Sequence, residues 1–229
     1  MLNSPVKAQD YAERFQREGL IEVENFLNET AAQQFHRILD AELQWQLSFL
    51  SGGRVRQIPQ SQLLQMKPQE LEQLDCEVAA QAARGFQFRF MRAALCEGSR
   101  EATGLAAQLM TELVEFGRSV TGDVEIAEAN MYGSYYAPGS YLKSHNDVIA
   151  NGRRRAAYVL SLTRKWELDW GGLLVFEDEK AGRVQQALVP SFNRLIFFSV
   201  PKAHHVTIVR DYAKGKRYAL QGWLSSRSK

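Results

Sequence analysis

The sequence predicts a mainly β protein in which a double-stranded β-helix, or jelly roll, carries helices packed on one outer face. From Val124 onward, short apolar runs are bounded by Gly, Pro, Asn and Asp, which is typical of many antiparallel strands. Before about residue 120, the apolar residues instead follow helical spacing. The chain has 229 residues, of which 45% are hydrophobic, enough to bury one sizeable core. We therefore expect a single domain over 1–229, with a helical part at 1–120 and a jelly-roll core at 121–229.

The helical part is predicted to contain four helices, near 7–18, 29–48, 68–83 and 103–119. Asn28 is a suitable N-cap for the second helix because its side chain can accept a hydrogen bond from the first turn. Apolar residues inside that helix follow the 3.6-residue repeat of a core-facing stripe: Ala31, Phe35, Ile38, Leu39, Leu43 and Leu47. His36 lies beside this stripe and has no partner ligand at i+4, so we interpret it as a packing or surface histidine.

The strands are predicted near 124–136, 141–147, 155–162, 172–176, 184–189, 194–199, 204–209 and 217–224. Eight short strands at this spacing fit a jelly roll. The segment 50–66 contains two glycines and a proline between predicted helices, so we expect a long loop there. Such a loop could cover a site.

The N-terminus and the cysteines predict a cytoplasmic protein. The formal net charge of +2 is too small to indicate a nucleic-acid or membrane partner. The N-terminus lacks an apolar signal core, and no run approaches the roughly 20 apolar residues of a membrane span. Cys76 and Cys96 form no close-spaced pair and are expected to be reduced thiols.

A candidate metal site begins in YLKSHNDV. In a strand, residues i and i+2 point to the same face, so His145 and Asp147 are predicted to project together while Asn146 points away. Another histidine pair, His204 and His205, begins a later predicted strand. One imidazole from that pair would complete a set of two histidines and one carboxylate, which suits Fe(II) because it leaves adjacent coordination positions open. Spacing alone leaves a second interpretation, in which these are ordinary surface or core histidines.

Arg217 favours the metal-site interpretation. It opens the last predicted strand, RYALQGWL, and shares a face with Ala219, Gln221 and Trp223, whereas Lys216 would point the other way. An inward arginine needs an anionic partner, and a guanidinium can bind a carboxylate through two parallel hydrogen bonds. A bound dicarboxylate would supply that partner. A solvent-facing arginine at the start of a strand is the alternative.

These stretches, in order, carry a family resemblance over roughly Val124 to Leu224. The order is YYAPGSYLKSHNDV, GRRRAAYVLSLTRKWELDWGGLLVF, LVPSFNRLIFFSVPKAHHVTIV and KRYALQGWL. It is similar to the HxD motif, the GG-containing strand, the P-x-x-N/D-R/K-L-hydrophobic-F-F strand, the HxV motif and the terminal arginine of prolyl 4-hydroxylase-type 2-oxoglutarate and Fe(II)-dependent oxygenases. Within that family, RRxAxxL, WGG and FFxV most resemble the branch that hydroxylates a prolyl residue of a ribosomal protein.

The resemblance implies Fe(II) and 2-oxoglutarate as cofactors, with ascorbate as an expected stimulant. It carries the metal-ligand roles onto His145, Asp147 and His204, the histidine two residues before the motif's valine. The 2-oxoglutarate roles fall on Arg217 and on Tyr136, with the neighbouring Tyr135 as the alternative. The implied reaction hydroxylates a substrate C–H bond and releases succinate and CO2. The implied partner is a protein substrate, ribosomal or translation-related, with no membrane partner.

Other functions remain open from the sequence. A small-molecule oxygenase would use the same three ligands. A nucleic-acid oxygenase would too, and the basic run of Arg153, Arg154 and Arg155 could touch phosphate, although such a run is more often a solvated turn. A non-catalytic jelly-roll metal-binding module would need the histidines but has no use for a carboxylate-binding Arg217.

Overall fold

A computed structural model describes residues 1–4, 6–150, 152–178 and 180–227 of the chain. The helices in this part are α1 (Gln9–Glu18), α2 (Glu29–Ala41), α3 (Gln60–Leu63), α4 (Pro68–Arg84) and α5 (Arg100–Thr121). The strands are β1 (Leu20–Glu24), β2 (Gln46–Ser51), β3 (Arg54–Pro59), β4 (Phe88–Ala93), β5 (Ile126–Ala129), β6 (Tyr132–Tyr136), β7 (Tyr141–His145), β8 (Arg154–Leu162), β9 (Leu174–Asp178), β10 (Arg183–Leu188), β11 (Phe192–Ser199), β12 (His204–Val206) and β13 (Arg217–Ser226).

The strands form one curled antiparallel sheet, which confirms the predicted mainly β, jelly-roll class. The strand order is β1-β11-β8-β13-β6-β4-β7-β12-β9-β10, with β2 and β3 added beside β4 and β5 beside β13. Although β1 and β10 stand at opposite ends of this order, the Gln186 amide of β10 donates to the Glu22 carboxylate of β1 at 2.7 Å. The sheet therefore curls far enough to bring its two ends together.

The two faces of the curled sheet bury different apolar clusters. On β11, Leu195 and Phe197 pack toward the helices, whereas Ile196 and Phe198 point into the curl. This alternation is what a period-2 strand buried on both faces requires. The outer cluster includes Phe35 of α2 together with residues of α5, so the helices cover the outer face of the sheet as predicted.

Local sequence accounts for the helix ends. The Asn28 side chain accepts from the Ala31 N–H at 2.9 Å, so the predicted N-cap of α2 is confirmed. Ser99 caps α5 in the same way, and Gly122 ends that helix in the left-handed conformation, with φ 72°. The helices predicted near 7–18, 68–83 and 103–119 correspond to α1, α4 and α5.

Two predictions before residue 120 were wrong. The helix predicted over 29–48 ends at Ala41, and Leu47 of its supposed stripe lies in β2. The expected loop at 50–66 is instead the β2–β3 hairpin followed by α3. Gly52 and Gly53, with φ 59° and 72°, form the two-residue turn, a conformation that favours glycine at both positions. Strand pairing between β2 and β4 then outweighs the helical spacing of the apolar residues.

No helix in the described residues is both long enough and apolar enough to span a membrane.

Candidate metal and cosubstrate site

Three side chains predicted as ligands meet inside the curl. His145 ends β7 and His204 begins β12, and these two residues face each other in the strand register. Oδ1 of Asp147 lies 3.4 Å from Nε2 of His145, and Oδ2 lies 3.5 Å from Nε2 of His204. One ligand atom from each residue lies within 4.8 Å of the others. Two imidazoles and one carboxylate therefore converge on one point.

Asp147 reaches this point by a different route from the one predicted. β7 ends at His145, and Asp147 has φ 63°, in the left-handed region. Strand alternation is therefore the wrong explanation for their proximity, because a turn beyond the strand end brings the carboxylate back. Aspartate tolerates this conformation better than most residues. The Arg154 side chain supports the turn by donating to the Asp147 main-chain oxygen at 3.1 Å.

Hydrogen bonds orient both imidazoles with Nε2 toward the cluster. Nδ1 of His204 lies 2.8 Å from the Lys202 carbonyl oxygen, and Nδ1 of His145 lies 3.1 Å from that of Lys143. An Nδ1–H that donates to a carbonyl leaves the Nε2 lone pair free for a metal. Burial, together with the neighbouring His145, lowers the pKa of His204 to about 4. His204 is therefore neutral at physiological pH.

Asp147 is held in its charged form. Burial works against the carboxylate, but the contact from His145 and the proximity of His204 outweigh it and hold the pKa of Asp147 below its usual value. A carboxylate with two imidazoles is a donor set that suits a divalent cation with open positions. The residues present thus fit a metal on chemical grounds.

Arg217 and Tyr136 form a second buried group in the same region. Arg217 is only 4% exposed and faces Tyr136 across the β13–β6 pair, with its guanidinium carbon 4.4 Å from the centre of the tyrosine ring. Its Nε donates to the Gly172 carbonyl at 2.7 Å, but its Nη1 and the Tyr136 hydroxyl are buried without a hydrogen-bond partner. Two unsatisfied donors at a positive charge fit a carboxylate ligand.

Arg217 also lines one narrow cavity with His145, Asp147 and His204. Residues 131–225 match the family model of the 2OG-Fe(II) oxygenase superfamily. This segment therefore resembles a 2OG-Fe(II) oxygenase domain. The cofactors of this superfamily are Fe(II) and 2-oxoglutarate, and both groups of residues fit them: the three ligands suit the metal, and the two unsatisfied donors suit a carboxylate of 2-oxoglutarate.

Prolyl hydroxylases are among the proteins that resemble this chain. A stretch of 88 residues is 31% identical to the mouse prolyl 3-hydroxylase OGFOD1, covering 36% of this chain and 16% of the mouse protein. The Pseudomonas putida prolyl-4-hydroxylase has the same fold, with a TM-score of 0.62 at 17% identity, covering 96% of this chain and 99% of that one. A Trichoplax adhaerens prolyl hydroxylase, solved with a hypoxia inducible factor peptide, matches with a TM-score of 0.64 at 16% identity. The match covers 96% of this chain and 89% of that chain.

The alternative residues at each position lie outside the oxygenase site. Tyr135 points to the opposite face and packs against Trp45 and Tyr218, with ring centres 5.9 and 5.1 Å away. His205 is half-buried and pairs with Glu177 at 2.5 Å. His36 packs beneath the sheet, with Nδ1 3.0 Å from the Leu162 carbonyl oxygen.

The arginine run after Asp147 does not form a free basic patch. Arg153 pairs with Glu128 at 2.7 Å, and Arg155 lies 3.5 Å from Asp123. Arg154 turns inward to Asp147, 3.7 Å from Oδ1, and its guanidinium stacks 3.6 Å over the Trp223 ring. The run is thus divided among three separate intramolecular contacts.

Sequence reasoning missed several residues around the site. Phe90 stacks on Tyr136 with ring centres 4.9 Å apart, and Tyr132 lines the cavity beside Trp223. Trp223 was recognisable from its alternation with Arg217, but Phe90 lies on a strand that the sequence did not predict. Arg154 gave no local signal that distinguished it from its neighbours.

Proposed function

We propose that the chain hydroxylates a C–H bond of a prolyl residue in a protein, with Fe(II) and 2-oxoglutarate as cofactors. One observation carries the proposal: the partnerless Arg217 Nη1 and Tyr136 hydroxyl lie in the region of a His-Asp-His cluster. A metal-binding module without turnover needs the cluster, but it has no use for a buried pair of donors that suits a carboxylate.

In this proposal, His145, Asp147 and His204 hold the metal through two Nε2 atoms and one carboxylate oxygen. The neutral state of His204 and the charged state of Asp147 support these roles, because a metal ligand must present a lone pair. Arg154 is a positioning residue that holds the Asp147 turn through its main-chain oxygen.

The distal carboxylate of 2-oxoglutarate would bind Arg217 and Tyr136. Arg217 is fully enclosed, so its charge needs an anion, and the Gly172 carbonyl fixes its Nε and leaves Nη1 to bind the ligand. Tyr136 is preferred over Tyr135 because its hydroxyl is buried without a partner and its ring lies under the Arg217 guanidinium.

When bound, Fe(II) and 2-oxoglutarate supply the oxidising chemistry, in which O2 and 2-oxoglutarate become succinate, CO2 and one oxygen atom inserted into a substrate C–H bond. The chain's own residues orient the reactants and keep water out. Phe176 and Phe198 pack against His204 with ring centres 5.9 and 4.8 Å away, and both phenylalanines are buried. This apolar wall lowers the local polarity on one side of the metal ligands.

Access from solvent supports a macromolecular substrate. Phe86 is 46% exposed, and its ring centre lies 5.3 Å from that of His145, at the rim of the site. The next residue, Gln87, exchanges two side-chain hydrogen bonds with the Leu50 main chain, at 2.8 and 3.0 Å. The β2–β3 hairpin is therefore anchored beside the rim, where it could cover a bound peptide.

The resemblance to prolyl hydroxylases supports a prolyl target, and the Trichoplax relative was solved with a peptide bound. A ribosomal or translation-related substrate is the finer prediction from sequence resemblance. We also propose that 1–229 forms one oxygenase domain, because a single apolar cluster joins the N-terminal helices to β8, β11 and β13.

The proposal is tested by succinate release with Fe(II), 2-oxoglutarate and ascorbate, followed by mass spectrometry of cellular protein for an added oxygen atom. His204→Ala should lower Fe(II)-dependent turnover by at least about 100-fold, because it removes a metal ligand. His205→Ala is the matched control and should keep turnover within about tenfold, since it loses only an outward ion pair. Activity that survives in His204→Ala but is lost in His205→Ala would contradict the ligand assignment.

The same assay separates substrate classes. Hydroxylated prolyl residues in protein are the expected result. Efficient succinate formation with a free metabolite, together with no modified protein, would leave the oxygenase domain in place but contradict the protein substrate.

A further inference from the structure

Arg92 of β4 differs from every other buried arginine in the described chain. Six described arginines are partly or fully buried, and five have an ion pair or a hydrogen bond to a carbonyl: Arg89, Arg153, Arg154, Arg194 and Arg217. Arg92 has neither with any residue that the structure describes. Its guanidinium carbon lies 3.9 Å from the centre of the Tyr132 ring. A partly desolvated charge without a counter-ion is unfavourable unless a ligand supplies one.

Arg92 belongs to a row of side chains on neighbouring strands. In the sheet order β8-β13-β6-β4, these strands contribute Arg154, Trp223, Tyr132 and Arg92 in turn. Arg154 stacks over Trp223, the Trp223 and Tyr132 rings lie 5.9 Å apart, and Arg92 stacks over Tyr132. Tyr132 and Trp223 also line the cavity of the His-Asp-His cluster. The row is therefore an aromatic surface beside the metal site with a cation at each end.

The charge on this row is not neutralised at the Arg92 end. Asp147 is the carboxylate near Arg154, at 3.7 Å, and as a metal ligand it is engaged elsewhere. Stacking on Tyr132 fixes the plane of the Arg92 guanidinium and leaves its N–H groups free around the edge. A fixed guanidinium fork is the geometry that recognises a carboxylate.

The distal carboxylate of 2-oxoglutarate is not this partner, because the proposed function places it at Arg217. Arg217 faces Tyr136 at one end of β6, whereas Arg92 packs on Tyr132 at the other. Four residues of strand separate the two tyrosines by about 13 Å. A carboxylate at Arg92 is therefore a separate group from the one at Arg217, and the substrate is the molecule that would supply it.

We infer that Arg92 is a specificity-determining residue that pairs with an acidic side chain of the protein substrate, at a fixed number of residues from the oxidised position. This inference rests on the proposed function, since it names a feature of the peptide that the oxygenase acts on. Tyr132 holds the guanidinium in place, and the row provides an aromatic surface for the chain between the two contacts.

The test uses a peptide library made by digesting whole-cell protein. Full-length protein with Fe(II) and 2-oxoglutarate is incubated with the library, and peptides that gain one oxygen atom are sequenced by mass spectrometry. Wild type should select peptides with Asp or Glu at one fixed offset from the modified residue. Arg92→Gln should lower kcat/KM for those peptides by about 10- to 100-fold, the loss expected for one charge-assisted contact. Arg92→Lys should recover part of that loss.

Charge reversal gives the sharpest readout. Arg92→Glu should reject acidic peptides and favour Lys or Arg at the same offset. Arg100→Glu, an exposed position at the start of α5, makes the same change in net charge and should leave the preference unaltered. The KM for 2-oxoglutarate should stay within about threefold in all variants, because Arg217 is untouched. If Arg92→Glu fails to fold, Arg92→Gln decides the question.

Each remaining outcome separates the two proposals. Hydroxylated peptides with no acidic preference, or with a preference that Arg92→Gln leaves unchanged, would overturn the role of Arg92 while the prolyl hydroxylase function stands. Consumption of 2-oxoglutarate without any modified peptide, together with efficient oxidation of a free metabolite, would overturn the protein-substrate function and this inference with it.

Discussion

Arg217 and Tyr136 place two unsatisfied hydrogen-bond donors inside an apolar interior. Burial lowers the pKa of Arg217 and raises that of Tyr136, so burial disfavours charge on both groups. A buried donor without a partner costs about 1–3 kcal/mol, and more when it is charged. The fold tolerates this arrangement because a ligand carboxylate can satisfy both donors at once.

Removing these donors should weaken 2-oxoglutarate binding without a matching effect on the metal. Arg217→Ala should cost about 2–5 kcal/mol of 2-oxoglutarate affinity, because it removes a charged contact. Tyr136→Phe should cost about 1 kcal/mol, since it removes one neutral hydrogen bond. The measurement is a titration of 2-oxoglutarate into Mn(II)-loaded protein, with Mn(II) affinity determined separately.

Tyr135→Phe is the matched control for Tyr136→Phe. Its ring faces the helices, so 2-oxoglutarate affinity should remain at the wild-type value. An equal loss of Mn(II) and 2-oxoglutarate affinity in Arg217→Ala would argue against a carboxylate-binding arginine. A loss in Tyr135→Phe alone would reverse the choice between the tyrosines.

At the scale of elements, β13 organises the site. It pairs with β6, β8 and β5, and its inner face carries Arg217 at one end and Trp223 at the other. Gly222 lies within this strand, where the main chain of Asn130 comes close. A Cβ at Gly222 would lie 2.0 Å from the Asn130 carbonyl oxygen. The strand therefore has room only for glycine at this position.

Gly222→Ala should destabilise the protein by about 2–3 kcal/mol, because main-chain atoms must move apart. Gly104→Ala is the control, since Gly104 is exposed within α5 and a Cβ there meets nothing within 4 Å. That change should stabilise the protein by about 0.5–1 kcal/mol. Urea unfolding checks both values, and a Gly222→Ala protein as stable as wild type would show that the close approach is not rigid.

At the scale of the whole molecule, titration of His204 and Asp147 makes the stability of the metal-free protein depend on pH. The folded protein protonates His204 only near pH 4, whereas an unfolded chain takes up this proton near its ordinary pKa of about 6.5. The unfolded state therefore binds more protons between these values, and stability falls as the pH is lowered through this window. The pKa of Asp147 is also lowered, so its protonation at still lower pH further decreases the stability of the folded protein.

We expect the free energy of unfolding of metal-free protein to fall by up to about 3 kcal/mol between pH 6.5 and pH 4 on account of His204. His204→Gln should flatten this part of the profile, because glutamine does not titrate. Denaturant melts across this range provide the measurement. If the free energy of unfolding falls equally steeply with pH in wild type and His204→Gln, His204 does not set the acid stability.

The sequence by itself determined the fold class and most of the candidate site. Short apolar runs bounded by Gly, Pro, Asn and Asp after Val124 predicted the strands, since such runs and turn residues are local properties of the sequence. The opposite orientations of Lys216 and Arg217 were also predicted from local alternation. Lys216 pairs with Asp40 on the outer face of the sheet, whereas Arg217 is buried. Gly52 and Gly53 also signalled a turn, but their neighbours lacked a strong strand pattern.

Tertiary structure alone decided what depends on residues far apart in the chain. β2 and β4 exist as strands because β2 pairs with β4 and β4 also pairs with β6 and β7, and such pairing leaves little trace in local spacing. Asp147 reaches the His-Asp-His cluster through a left-handed turn held by Arg154, rather than by strand alternation. Arg92 stands beside the site only because β4 lies next to β6. Local periodicity records which face a residue occupies, whereas its neighbours across the sheet are set by the packing of the whole chain.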